Sequence, residues 1–191
     1  MTARTHDAFA FASLVTFAAF FPPENLNLTT LVVSVIGADV GALLPDLDQA
    51  GNRLWEMLPS GHNLGRIFRR IFYKHRTLTH SLIGVFAIYK LLEFVLPLVL
   101  NSGFLDTKIV LVSIMIGYIS HLLADSLTEE GLPLLFPLNI SFGIPPIRKM
   151  RIKTGKWFEN FVVYPVIWIY LIWFIHLNQA SLTNILRLVV K

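Results

Sequence analysis

The chain has no cysteine, which excludes a disulfide framework and any thiolate metal site. It is also short of charge. Only 15% of its 191 residues are Asp, Glu, Lys or Arg, against about 25% in an ordinary soluble domain. No Gly-rich phosphate loop, Gly-x-Ser-x-Gly elbow or His-Glu-x-x-His helix is present, so those nucleotide, acyl-transfer and protease chemistries have no carrier. The His6-Asp7 dipeptide has no His upstream, which removes the HD phosphohydrolase pattern. There is no internal repeat. What is abundant is apolar: 54% of residues are hydrophobic and the mean hydropathy is +0.62. One membrane-embedded domain covering residues 1–191 is expected.

Five apolar segments stand out, at residues 8–21, 28–44, 78–100, 109–127 and 158–177. A crossing needs roughly 20 residues. The last three reach that length, the second does so if Asp39 is tolerated, and the first does so if its helix begins near Arg4. The first segment also has the look of a signal peptide, but its cleavage signal is poor and it runs into Pro22-Pro23. The basic residues alternate between connections. Residues 1–7, 45–77 and 128–157 carry twelve of the sixteen Lys and Arg, while residues 22–30 and 101–107 carry none. The positive-inside rule places the basic set in the cytoplasm. The expectation is an inner-membrane bundle with a cytoplasmic N-terminus, five crossings and an external C-terminus.

Within the first cytoplasmic loop, Leu64, Ile67, Phe68, Ile71 and Phe72 repeat at helical spacing, with Arg66, Arg69 and Arg70 elsewhere around the helix. This predicts an interfacial amphipathic helix, either a plain anchor or a collector of anionic headgroups. The second loop is apolar yet broken by Pro133, Pro137, Pro145 and Pro146. It cannot be helical throughout and is expected to pack on the helix ends as a lid or shallow re-entrant piece. The fold class is therefore all-α: about five membrane helices plus one interfacial helix.

The polar residues of the apolar segments gather at one end. His6 starts the first, Asp46 and Asp48 close the second, His75 and His80 open the third, His121 and Asp125 close the fourth, and Glu159 opens the fifth. Taken singly, each has a plainer explanation as a cap, a turn former or an interfacial polar group. Taken together they fall on one surface although successive helices reverse direction. His121 and Asp125 moreover lie inside an apolar run, where ionisable groups are costly and mark function. Four residues apart on a helix, they share a face with Cβ atoms about 5–6 Å apart. They can bind one metal, or the carboxylate can bridge two. Asp46 and Asp48 can supply two oxygens, or one ligand and one group that orients it. His75 and His80 need not share a metal, and His80 is the better ligand. Imidazole and carboxylate suit zinc, manganese or iron.

The stretches GALLPDLD (41–48), HRTLTHSL (75–82), HLLADSLTEEGLPLLFP (121–137), TGKWFE (154–159) and RTHDAFAF (4–11) resemble the YdjM family, inner-membrane-associated proteins read as metal-dependent hydrolases. That family is distantly similar to zinc-dependent phospholipases C and single-strand nucleases. The resemblance implies one or two ions, zinc foremost. It implies Asp125 as the bridge, with Asp46 or Asp48, His80 and His121 around one ion and His6 at a second. The chain departs from the relatives' third-metal ligands, for which only His75 and Glu159 are candidates.

The functional expectation is a metal-dependent hydrolase that cleaves a phosphoester, a lipid phosphate or phospholipid, at the cytoplasmic face. A bound metal would acidify water and polarise a phosphoryl oxygen. Arg76 or Arg69 would hold the phosphate, and Glu159 or the spare Asp, such as Asp48, would protonate the leaving oxygen. The expected partners are the lipid bilayer and an anionic headgroup, with no nucleic acid. The alternative is a non-enzymatic metal-binding or proton-relay membrane protein that uses Asp39 and the same cluster.

Overall fold

The computed structural model describes residues 1–48, 78–138 and 140–190. Within them the chain forms six α-helices: α1 (Ala3–Phe20), α2 (Leu28–Leu43), α3 (Leu82–Val99), α4 (Thr107–Ser126), α5 (Tyr164–Leu177) and α6 (Gln179–Val190). A 3-10 turn, Leu44–Asp48, extends α2, and a π-helical turn, Glu159–Val163, leads into α5. The long predicted interfacial helix at residues 64–73 lies outside the described residues.

Side-chain caps start three of the helices. Asn27 accepts from the Thr30 amide at 2.7 Å to begin α2, Ser81 accepts from Gly84 at 3.1 Å to begin α3, and Asp106 accepts from Lys108 and Ile109 to begin α4. Each satisfies amides that a helix leaves open at its first turn. Four helical segments are long and apolar enough to cross a membrane: Leu28–Leu47, Leu82–Val99, Thr107–Ser126 and Glu159–Leu177. An all-α membrane bundle is thus what the sequence forms. α1 falls short by composition because its first turns carry Arg4, His6 and Asp7. Its 18 residues still extend about 27 Å; His6 lies near the polar mouth, and near the other end the Ala19 carbonyl accepts from Ser181 of α6. The short helix α6 was not foreseen. It follows α5 with only Asn178 between them and buries Ile185.

α4 is the central helix, buried along most of its length. Against it α2 lays its small residues Gly37, Ala38, Gly41 and Ala42. A Cβ on Gly41 would collide with the Ile114 carbonyl, and one on Gly117 with the Ala38 carbonyl. Close backbone approach between small residues is how membrane helices gain packing where lipid removes the hydrophobic driving force between them. α1 packs on α5 through Ala8, Ala12, Ile167 and Leu171. α3 sits outermost and buries only Gly84. The second loop folds onto the helix ends, where Leu132 and Leu134 join Tyr118, Leu122, Val85 and Ile88. It is pinned by reciprocal amide–carbonyl bonds between Leu132 and Phe142, each 2.7 Å, and by Leu82 donating to the Leu134 carbonyl.

The α2–α4 seam gives a direct test. Gly117→Val should cost about 1–3 kcal/mol through overpacking, read as a lowered thermal midpoint in detergent. Gly103→Ala in an exposed loop should leave the midpoint in place. Equal midpoints for the two variants would show that the helices do not approach this closely.

Candidate metal centre

Four elements deliver the polar cluster. His6 comes from the second turn of α1, Asp46 from the 3-10 turn after α2, His80 from the turn before α3, and His121 with Asp125 from the last turns of α4. His6, His80, His121 and Asp125 are all at most 3% exposed. His80 is fixed because its turn folds over Gly84, where a Cβ would strike the Leu78 carbonyl, and because Tyr118 donates to the Thr79 carbonyl. α4 ends just past Asp125, where the buried Thr128 hydroxyl donates to the Asp125 carbonyl at 2.8 Å.

Five residues that the sequence singled out meet here, and two groups of three could each hold a metal ion: His6, His121 and Asp125; and Asp46, His80 and His121. His121 belongs to both. Its Nδ1 lies 2.6 Å from the Ala42 carbonyl. Only a protonated Nδ1 can donate there, so the neutral ring presents Nε2 with its lone pair. That Nε2 is buried and has no hydrogen-bond partner among the described residues. It stands 3.8 Å from Asp46 Oδ1 and 3.6 Å from Asp125 Oδ2. His80 Nε2 stands 3.6 Å and 3.8 Å from the same two oxygens, with its Nδ1 3.1 Å from the Thr79 hydroxyl. These separations are long for hydrogen bonds. They match the edge of a tetrahedron of N/O ligands, about 3.4 Å for bonds of about 2.0–2.1 Å. The donor set and the orphaned nitrogen both fit a divalent metal, and neither selects among zinc, manganese and iron.

The two oxygens of Asp125 divide between the groups. Oδ2 faces His80 and His121, while Oδ1 faces His6 Nε2 at 3.3 Å and the α-amino group of Met1 at 2.5 Å. The rings of His6 and His121 stack with centroids 3.8 Å apart. Sequence reading missed Met1 and the Ala42 carbonyl. The only available signal for the carbonyl was the run of small residues that brings α2 close.

Glu159 is present but placed differently from expectation. It is fully buried and belongs to neither metal-capable group. One oxygen accepts from the Thr2 amide at 2.6 Å and the Thr2 hydroxyl at 2.9 Å; the other accepts from Gly155 at 2.7 Å. Its carboxylate ties the start of α1, and with it His6, to the loop before α5. Asp48 ends the 3-10 turn. His75, Arg69 and Arg76 lie outside the described residues.

The family profile described as YdjM inner membrane protein matches residues 1–182 of the chain. The inner membrane protein YdjM of Escherichia coli (strain K12) is 31% identical over 187 residues, covering 92% of this chain and 84% of that protein. The YdjM of Shigella flexneri gives the same figures. An uncharacterized protein of Bacillus subtilis (strain 168), YvsG, is 30% identical over 163 residues, covering 85% of this chain and 88% of its own. No solved structure matches the chain significantly.

Removing the Glu159 clamp should free the start of α1. Glu159→Ala strands the Thr2 and Gly155 amides, at a cost of about 1–3 kcal/mol. Hydrogen exchange should rise at residues 4–8 while α3 is unchanged, with Glu159→Gln intermediate. Unaltered exchange in the Ala variant would remove the clamp from the fold.

Proposed function

This chain belongs to the YdjM family of inner membrane proteins, and from that premise we propose that its His/Asp cluster is the divalent-metal centre of a membrane-embedded hydrolase. The substrate is a phosphoester, a lipid phosphate or phospholipid, at the cytoplasmic face. The observation that carries this reading is His121: a buried imidazole whose tautomer is set by Ala42 and whose orphaned Nε2 points between two carboxylates. A buried nitrogen without a partner is costly, and a metal removes that cost.

When bound, a divalent ion lowers the pKa of water and polarises a phosphoryl oxygen. The chain's own residues supply the rest. His121, His80, Asp46, His6 and Asp125 would hold the metal, Asp125 with one oxygen toward His6 and the other toward His80 and His121. Glu159 holds α1 in place through Thr2, so the proton for the leaving oxygen falls to Asp48, and the phosphate clamp to Arg76. The orientation is read from charge. Most basic residues of the sequence fall in the segments joined to the helix ends that carry the cluster, and the positive-inside rule supports a cytoplasmic mouth and N-terminus.

Metal content of the purified chain tests this first. After loading with zinc or manganese, up to two ions per chain are expected. Asp46→Ala and His6→Ala should each retain at most one, and His121→Ala and Asp125→Ala none. Phosphate or headgroup release from a lipid panel should fall at least about 100-fold in His121→Ala. A wild-type chain that takes up no metal would overturn the centre. A fully loaded chain that turns over no phosphoester would leave a non-enzymatic metal site.

A further inference from the structure

A cavity of about 520 Å³ lies between α1, α2 and α5. Its lining includes Arg4, Asp7, Phe11, Asp39, Tyr164 and Trp168. The metal centre uses none of these.

Asp39 lies within the spanning segment Leu28–Leu47 and is exposed on the cavity wall. No described residue forms an ion pair or hydrogen bond with it. A carboxylate at membrane depth is expensive and calls for a cation or a proton. Among the described residues of the lining, the fixed cation is Arg4. Its guanidinium is already bonded to Asn160 Oδ1 at 2.9 Å and sits 4.6 Å over the Tyr164 ring. Tyr164 and Trp168 meet nearly edge to face, with centroids 6.4 Å apart and planes at 75°. They form an aromatic corner on the same wall.

These parts sort by chemistry. Carboxylate and aromatic faces together attract an ammonium group. Arg4 at the rim attracts a phosphate. The described residues of this lining include no imidazole and no second ligand type for a metal. The geometry points to a binding site for an amine-bearing phospholipid headgroup of the phosphoethanolamine type, with its ammonium at Asp39 and Trp168 and its phosphate toward Arg4. Asp39 stands about 12 Å along the helix from Leu47, the end of the spanning segment, so the headgroup is drawn inward along α2 to reach it. The occupant therefore comes from the bilayer rather than from solution. Asp7, one residue beyond His6, puts this headgroup beside the metal centre without sharing a ligand with it. The inference stands whether or not that centre cleaves phosphoesters.

The test uses the full chain in detergent, incubated with equal phosphatidylethanolamine and phosphatidylglycerol, and native mass spectrometry to count retained lipid. Wild type should favour the ethanolamine lipid about tenfold. Asp39→Asn should abolish the preference while its metal content stays at the wild-type value, which separates this site from the centre. Trp168→Leu carries the same expectation should Asp39→Asn fail to fold. Soluble phosphoethanolamine should compete. Equal retention of the two lipids by wild type, an unchanged preference in both variants, or retention that phosphoethanolamine cannot compete would each overturn the site.

Discussion

The close approach of α2 to α4 is the constraint on which the centre depends. Gly41 and Gly117 remove the side chains that would keep the two backbones apart. Only then can the Ala42 carbonyl come within 2.6 Å of His121 Nδ1. That bond selects the tautomer, the tautomer leaves Nε2 as the nitrogen His121 can offer a metal, and His121 is the residue common to both metal-capable groups. A methyl group in the seam would shift α2 outward and carry Asp46 with it, since Asp46 follows α2 by one short turn. Packing and chemistry are therefore one problem in this bundle.

The electrostatic cost is concentrated in the same place. Three imidazoles and a carboxylate are almost wholly buried at the mouth, in a bundle whose other helix faces turn large apolar side chains outward. Burial of such groups is tolerated when each polar atom finds a partner or a cation. Much of the surrounding structure supplies partners: Thr79 for His80, Thr128 for the end of α4, and Thr2 and Gly155 for Glu159. The atoms these partners leave facing one another are the nitrogens and oxygens that a divalent ion would join.

Much of this was legible in the sequence because it rests on short-range periodicity. The spacing of His121 and Asp125 places them on one helix face, and the alternation of basic loops aligns the polar helix ends. What the sequence hid was long-range. Glu159 read as a proton donor because its type and position allowed it, yet its oxygens are taken by residues 157 and 4 positions away. The backbone carbonyl of Ala42 and the α-amino group of Met1 leave no residue-type signal at all. α1 was hard to weigh by composition because polar and apolar demands share its first turns.

That sharing is itself informative. Along α1, Arg4, Asp7, Ala8 and Phe11 recur at helical spacing and line the cavity. Thr5, His6 and Ala10 turn inward and are buried. One turn of helix thus stands between the cavity and the buried centre, with Asp7 lining the first and His6 in the second. A helix made only of apolar residues would cross the bilayer more cheaply and could serve neither side. The low hydropathy of α1 is therefore the cost of its position, and the three apolar spans packed against it, α2, α4 and α5, offset that cost by holding it. The clamp from Glu159 adds a fixed point at the end where the helix is most polar and where its register decides which residue faces which site.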